Sequence, residues 1–314
     1  MENAGSFWLP KAASSYAADV DGLFYFILYA SVVFFVLVVF GLIYFSIRYR
    51  KRGKTELTPG ISHNTKLEVT WTVIPTLLIM VVFVWGFRGY MKMRVVPKDA
   101  IEIRVTAQKW FWSFDYQEGV NSVGDLVVPA GKPIKLLISS RDVIHSLFVP
   151  DFRLKMDAVP NRYTIAWFQA DDLGEHQLFC TEYCGTEHSK MLGKVRVLSQ
   201  GDYENWINEN SQLGKGLTLE EFGQQVYENK GCMTCHSIDG TAKIGPTFKG
   251  VFGHEVKLAN GETVLADENY IRESILEPQA KVVAGFQPVM PPYQGILRPE
   301  EVDALIAFIK SLKE

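Results

Sequence analysis

Two short stretches concentrate the side chains able to bind soft metal ions. The first, "CTEYCGTEHSKM" over 180–191, puts Cys180, Cys184, His188 and Met191 within twelve residues, and "DVIHSLFVP" upstream supplies His145 as a second imidazole. Thiolate, imidazole and thioether together favour soft or borderline metals. Five such side chains are too many for one tetrahedral ion. A blue-copper centre takes one Cys, two His and a weak axial Met, so the additional cysteine is what a second copper would need, because two thiolates can bridge two ions. A Cys180–Cys184 disulfide is the bland alternative. A copper-delivery protein of the thioredoxin fold is a third reading, and it requires βαβ alternation around the cysteines, where the sequence shows strands.

The second stretch is "CMTCH", 232–236. It is the attachment signature of a c-type haem: Cys232 and Cys235 for the thioethers, His236 for the iron. Zinc and thioredoxin-like redox sites compete for a bare CxxCH. The chain has four cysteines in all, and the first cluster takes the other two, which leaves His254 as the only imidazole downstream for a zinc site. A haem needs a sixth ligand, and the only methionine beyond the motif is Met290, in "PVMPPYQGIL"; His254 is the runner-up. Met/His ligation raises the haem potential, which suits a donor feeding copper. His63, His176 and His254 read as surface or loop residues.

These clusters must be held by elements of three kinds. Residues 22–47 contain no charge and exceed the ~20 apolar residues that cross a bilayer core. A second uncharged run, 69–87, spans as well, with Pro75 tolerable in a membrane helix. The two form a transmembrane helical hairpin. "RYRKRGK", 48–54, carries five basic residues and holds the connecting loop on the cytoplasmic side, which leaves both termini outside. From about 96 the pattern turns to period two and reads as an all-β sandwich, in which "KWFWSFDY" sets Trp110, Trp112, Phe114 and Tyr116 on one face and Phe111 on the other. A polar stretch at 201–216 reads as a tether, and from 217 a capping box (Thr218, Glu221) opens a helical, acidic unit. The expected units are therefore an extracytoplasmic segment 1–21, the hairpin 22–95, a sandwich 96–200, a linker 201–216 and an all-α unit 217–314. A net charge of -3 and a pI near 6.1 give no nucleic-acid footprint.

From the hairpin to Leu198 the chain resembles subunit II of haem-copper cytochrome c oxidases, whose cupredoxin-like domain carries the dinuclear CuA centre. The resemblance implies that Cys180 and Cys184 bridge both coppers, that His145 and His188 ligate one each, and that Met191 and the backbone carbonyl of Glu182 complete the set. It further implies an electron-input tryptophan at Trp110, exposed above the coppers, and a magnesium or manganese ion shared with subunit I through the Glu182 carboxylate. It also places the mouth of a proton-uptake path at Glu68. From about Leu217 onward the chain resembles class I cytochrome c, with Cys232, Cys235, His236 and Met290 about a covalent haem c. The fusion of the two resembles the caa3-type oxidases of bacteria.

The expectation is a multidomain protein of the bacterial plasma membrane with both redox domains outside. It would pass electrons from haem c through CuA to subunit I, where oxygen is reduced to water with proton pumping. Implied partners are subunits I and III and an external donor: a cytochrome c, another small redox protein or a quinol-oxidising complex. The rival is a membrane-anchored copper and haem carrier outside any oxidase. Nitrous oxide reduction would need a His-rich catalytic copper domain, which six histidines cannot build.

Overall fold

A computed structural model describes residues 5–51, 53, 60, 62–211 and 216–312. Helices α1 (Ala17–Arg48) and α2 (Thr65–Arg94) form the hairpin. Both are apolar over a membrane-spanning length, with their apolar windows uncovered by the rest of the chain. Lipid is the solvent such surfaces require. They meet where glycines let rings approach: a Cβ at Gly22 would lie 3.3 Å from the Trp85 indole. Part of the basic run, at 52 and 54, lies outside the described residues, as do 1–4 and 212–215.

Helix α1 begins five residues earlier than the uncharged run, because its acidic side chains find partners. Asp21 receives Arg153 at 2.7 and 2.9 Å, and Asp19 receives Lys92 at 2.6 Å. Just before the helix, the Tyr16 hydroxyl donates to the Trp167 carbonyl at 3.1 Å, and the Ala13 amide donates to the Asp151 carbonyl at 2.9 Å. The hairpin is thus fastened to the sandwich by buried and charged contacts.

The sandwich has two five-stranded sheets. One runs β3 (Asn121–Val123), β2 (Phe111–Tyr116), β1 (Ile101–Gln108), β5 (Pro133–Ser140), β8 (Thr164–Gln169). The other runs β4 (Asp125–Pro129), β10 (Leu192–Leu198), β9 (Gly174–Cys180), β6 (His145–Val149), β7 (Leu154–Ala158). Pairs β1 with β5 and β4 with β10 are parallel; the others are antiparallel. Alternation sends Ile103, Trp112, Phe114, Leu136, Ile138 and Leu178 into a fully buried core. Such close packing holds attached loops in place.

The expected linker is in large part a helix, α3 (Gln200–Ser211), which packs on the sandwich through buried Tyr203 and Ile207 and sets Trp206 edge-on to Tyr116 at 5.1 Å. The polar composition hid two apolar anchors four residues apart, the spacing that puts side chains on one helix face. Beyond it, α4 (Leu219–Asn229) starts with the expected capping box and crosses the C-terminal helix α7 (Pro299–Ser311), with the short α5 (Cys232–Cys235) and α6 (Glu268–Leu276) between. The unit is helical but adds a ribbon, β11 (Glu255–Lys257) with β12 (Thr263–Leu265).

At the α4–α7 crossing a Cβ on Gly223 would stand 2.0 Å from the Ala304 carbonyl oxygen. Backbone cannot yield there as a side-chain tip would. Gly223→Ala should destabilise this unit by about 3 kcal/mol, read as a lower midpoint when chemical denaturation is followed at the haem absorption.

Candidate metal centres

The first site is built by two strand ends and one loop. His145 opens β6, Cys180 closes β9, and the chain between β9 and β10 carries Glu182, Cys184, His188 and Met191. Three backbone contacts shut the loop at its base: Leu147 pairs with Cys180, the Cys180 amide donates to the Met191 carbonyl at 3.3 Å, and the Thr181 amide donates to the Ser146 carbonyl at 2.9 Å.

All the expected donors converge. The Cys180 and Cys184 sulfurs lie 3.9 Å apart and both thiols are free. A disulfide holds its sulfurs at about 2.05 Å, so the bland alternative is not the arrangement present. His145 Nδ1 is 3.9 Å from the Cys180 sulfur and 3.2 Å from the Met191 sulfur; His188 Nδ1 is 3.5 Å from the Cys184 sulfur. The Glu182 carbonyl oxygen is 3.3 Å from the Cys180 sulfur, and Met191 sulfur lies 3.8 Å from that of Cys184. One imidazole beside each sulfur, with a thioether and a carbonyl at the flanks, is a donor set that fits two soft ions better than one.

Charge in this pocket is arranged for deprotonation of one thiol. Burial pushes Cys180 up, but His145 and nearby backbone groups overcome it and hold the thiol below its ordinary range. Burial and the Cys180 sulfur push Cys184 the other way. His145 is fully buried; burial lowers its pKa, while Asp142 and Cys180 raise it by more. The Asp142 carboxylate accepts from His145 Nε2 at 2.8 Å and, with its other oxygen, from the Lys109 amide at 2.8 Å. A carboxylate behind a metal-binding imidazole fixes its tautomer and aim. Sequence reasoning missed Asp142, although a carboxylate three residues before His145 was the available signal.

Trp110 is a correction. Its indole is 6% exposed, not open above the site. It lies over the metal-binding loop, where a Cβ on Gly185 would meet the indole at 3.3 Å, and Ile244 and Val289 of the C-terminal unit pack against the apolar cluster that contains it. His176 is a second correction. It is buried, with Nδ1 2.8 Å from Asp151 and its ring 4.8 Å from that of Phe152. The Glu182 side chain is exposed, and Glu68 sits in the first turn of α2, accepting from the Asn64 amide at 3.2 Å.

The second site is an apolar cavity of about 220 Å³ lined by Cys232, Cys235, His236 and Met290. His236 is placed by three neighbours: Nδ1 donates to the Pro246 carbonyl at 2.7 Å, Phe248 stacks at 4.5 Å, and Tyr227 donates to its backbone carbonyl at 2.7 Å. The first of these leaves Nε2 with a free lone pair. Gly245 lies so close that a Cβ would stand 2.6 Å from the imidazole, a packing only glycine permits. An apolar cavity walled by two thiols, an imidazole and a thioether carries a donor set that fits a haem.

A membrane-anchored cupredoxin with a soft-metal cluster and an appended cytochrome c unit is the class that fold and sites define. The descriptions "Cytochrome C oxidase subunit II, transmembrane domain" and "Cytochrome C oxidase subunit II, periplasmic domain" match residues 2–88 and 120–197, and "Cytochrome c" matches 221–313. Cytochrome c oxidase subunit 2 of Alkalihalophilus pseudofirmus is 32% identical over 289 residues, covering 88% of this chain and 82% of that protein. The same subunit of a Synechocystis species is 27% identical over 251 residues, 65% of this chain and 76% of that one. The crystal structure of the periplasmic domain of subunit II of cytochrome oxidase of Bradyrhizobium japonicum has 28% identity and a TM-score of 0.37, covering 38% of this chain and 98% of that one. The chain belongs to the cytochrome c oxidase subunit II family, and its fused cytochrome c makes it one of caa3 type. Such a subunit is part of a terminal oxidase, with CuA copper and haem as the cofactors its domains imply; the free-standing carrier is not favoured.

Asp142→Asn should weaken copper binding by about tenfold to a hundredfold, the usual loss for a partner behind a metal-binding histidine, measured by chelator competition. Copper must also displace the proton of Cys184, and that of His145 where it is charged; both pKa values are raised, so affinity should climb by at least about tenfold per pH unit through neutrality. Titration of the copper-free protein at several pH values checks this.

Proposed function

We propose that this chain is the electron-input subunit of its oxidase, receiving electrons at haem c and delivering them through CuA to subunit I, where oxygen is reduced to water with proton pumping. The observation that carries the reading is the pair of unbonded sulfurs 3.9 Å apart, with an imidazole beside each. Bound there, two coppers would share one electron between them, while haem c would hold one more.

The residues of the chain supply position and dryness. Cys180, Cys184, His145, His188, Met191 and the Glu182 carbonyl would together hold the two coppers, which would supply a one-electron store. Cys232 and Cys235 would carry the haem, and His236 and Met290 would be its ligands from the chain. Apolar walls around both sites exclude water, which keeps reorganisation small on electron transfer. Trp110, lying on the metal-binding loop, would pass electrons to the coppers.

The family resemblance supports further roles. The exposed Glu182 carboxylate would bind magnesium or manganese at the boundary with subunit I, and Glu68, at the start of α2, would stand at the mouth of a proton-uptake path. Subunits I and III would flank the hairpin, and a small redox protein or a quinol-oxidising complex would supply electrons. Arg48 ends α1, and Arg50 and Lys51 follow it; these charges favour a cytoplasmic loop, with both redox domains outside the bacterial plasma membrane. The domain limits of 1–21, 22–95, 96–200 and 217–314 are then kept with two changes: α1 carries the hairpin back to Ala17, and α3 carries the sandwich on to Ser211.

Purified with its complex, the chain should carry about two coppers and one covalent haem. Cys184→Ser should abolish the near-infrared copper absorption and leave the haem spectrum intact; an unchanged copper band would count against the bridging role. Met290→Leu should keep the haem attached but alter its potential and spin state, checked by redox titration and optical spectroscopy.

A further inference from the structure

Strand β2 turns Trp112, Phe114 and Tyr116 into the sandwich core, so Phe111 faces the opposite way. An outward phenyl ring on a lone sandwich would be open to water. Phe111 is nevertheless only 7% exposed, and it belongs to neither the apolar core of the sandwich nor that of the cytochrome unit. What covers it is the haem-attachment segment.

Three contacts define the junction. The Phe111 ring forms part of the wall of the haem cavity, beside Cys232, Cys235 and His236. Gly231, the residue before Cys232, has φ of 76°, and a Cβ there would stand 2.8 Å from Val123 Cγ1 and 3.7 Å from Phe111 Cδ2. Val123 is aligned with Ser113 across the β2–β3 pair, so ring and methyl are presented by one sheet edge. Next to this apolar contact is a polar cavity of about 190 Å³, between Asp115, Asn121 and Arg141 of the sandwich and Lys230 of the cytochrome unit. An apolar centre beside a polar margin is the anatomy of a specific interface.

We infer that Phe111 and Val123 are the seat on which the cytochrome unit docks, and that the dipeptide Trp110–Phe111 joins the two redox sites, one ring on the copper loop and the next in the haem wall. Phe111 is a positioning residue: it closes a gap that the haem pocket would otherwise leave open to water and fixes the haem-attachment segment against the strand that follows Trp110. One electron leaves the haem site and one reaches the copper site, and no atom or proton passes between them. This rests on the proposed electron-input role.

The test uses the complete oxidase with Phe111→Ala, Phe111→Leu and Val123→Asp. Hydrogen exchange at 231–236 reports docking, and the rate of copper reduction after flash reduction of the haem reports positioning. Phe111→Ala and Val123→Asp should each raise exchange and slow the internal transfer by about tenfold or more, the scale of losing a buried aromatic anchor. Phe111→Leu, which keeps an apolar anchor, should retain most of both. Copper and haem absorption should be unaltered in all three. Unchanged exchange and rate in Phe111→Ala would overturn the inference, as would a leucine variant indistinguishable from alanine. Absence of copper or haem from the unmutated oxidase would instead defeat the electron-input reading.

Discussion

Two sulfur atoms must be kept close together and unjoined inside an apolar domain, and much of the architecture serves that requirement. A buried thiolate is costly unless neighbours compensate it. Here the compensation is local: His145 and nearby backbone groups lower the pKa of Cys180, while three backbone contacts tie together the ends of the loop that carries both sulfurs. The sheets supply rigidity, since β6 and β9 are hydrogen-bonded neighbours and each brings a ligand at its end. Asp142 extends the same restraint to the loop before Trp110 through the Lys109 amide.

The junction with the membrane is equally firm. Arg153 is drawn to Asp21 across the boundary between sandwich and hairpin, with its side chain only 8% exposed. Removing one partner of such a sheltered pair leaves an uncompensated charge, so the pair fixes geometry more than it adds stability. Together with the Tyr16 hydroxyl bond to the Trp167 carbonyl, it holds the sandwich in one pose on the end of the hairpin.

Ligands clustered tightly along the chain are legible from the sequence, because residue type and spacing define their chemistry; Cys180, Cys184, His188 and Met191 are of this kind, and so are Cys232, Cys235 and His236. The spans and the strand periodicity are equally plain there. Contacts between distant segments are not. Helix α1 starts early because Arg153, 132 positions from Asp21, neutralises it. The helix α3 hides in a polar composition because two apolar side chains suffice to anchor one turn to the next. Trp110 reads as exposed when the sandwich is considered without its neighbour, and His176 reads as a bystander because its partner Asp151 lies on a neighbouring segment. Phe111 is an ordinary outward ring until the cytochrome unit is in place.

The docking of α3 changes the mechanics of the tether. With Tyr203 and Ile207 buried, the chain left between Ser211 and Leu219 is seven residues, 212–218. At full extension those residues span about 25 Å at most. A cytochrome unit on so short a leash can sweep only the neighbourhood of its own sandwich. On the proposed electron-input role, each copper site would then have a donor of its own.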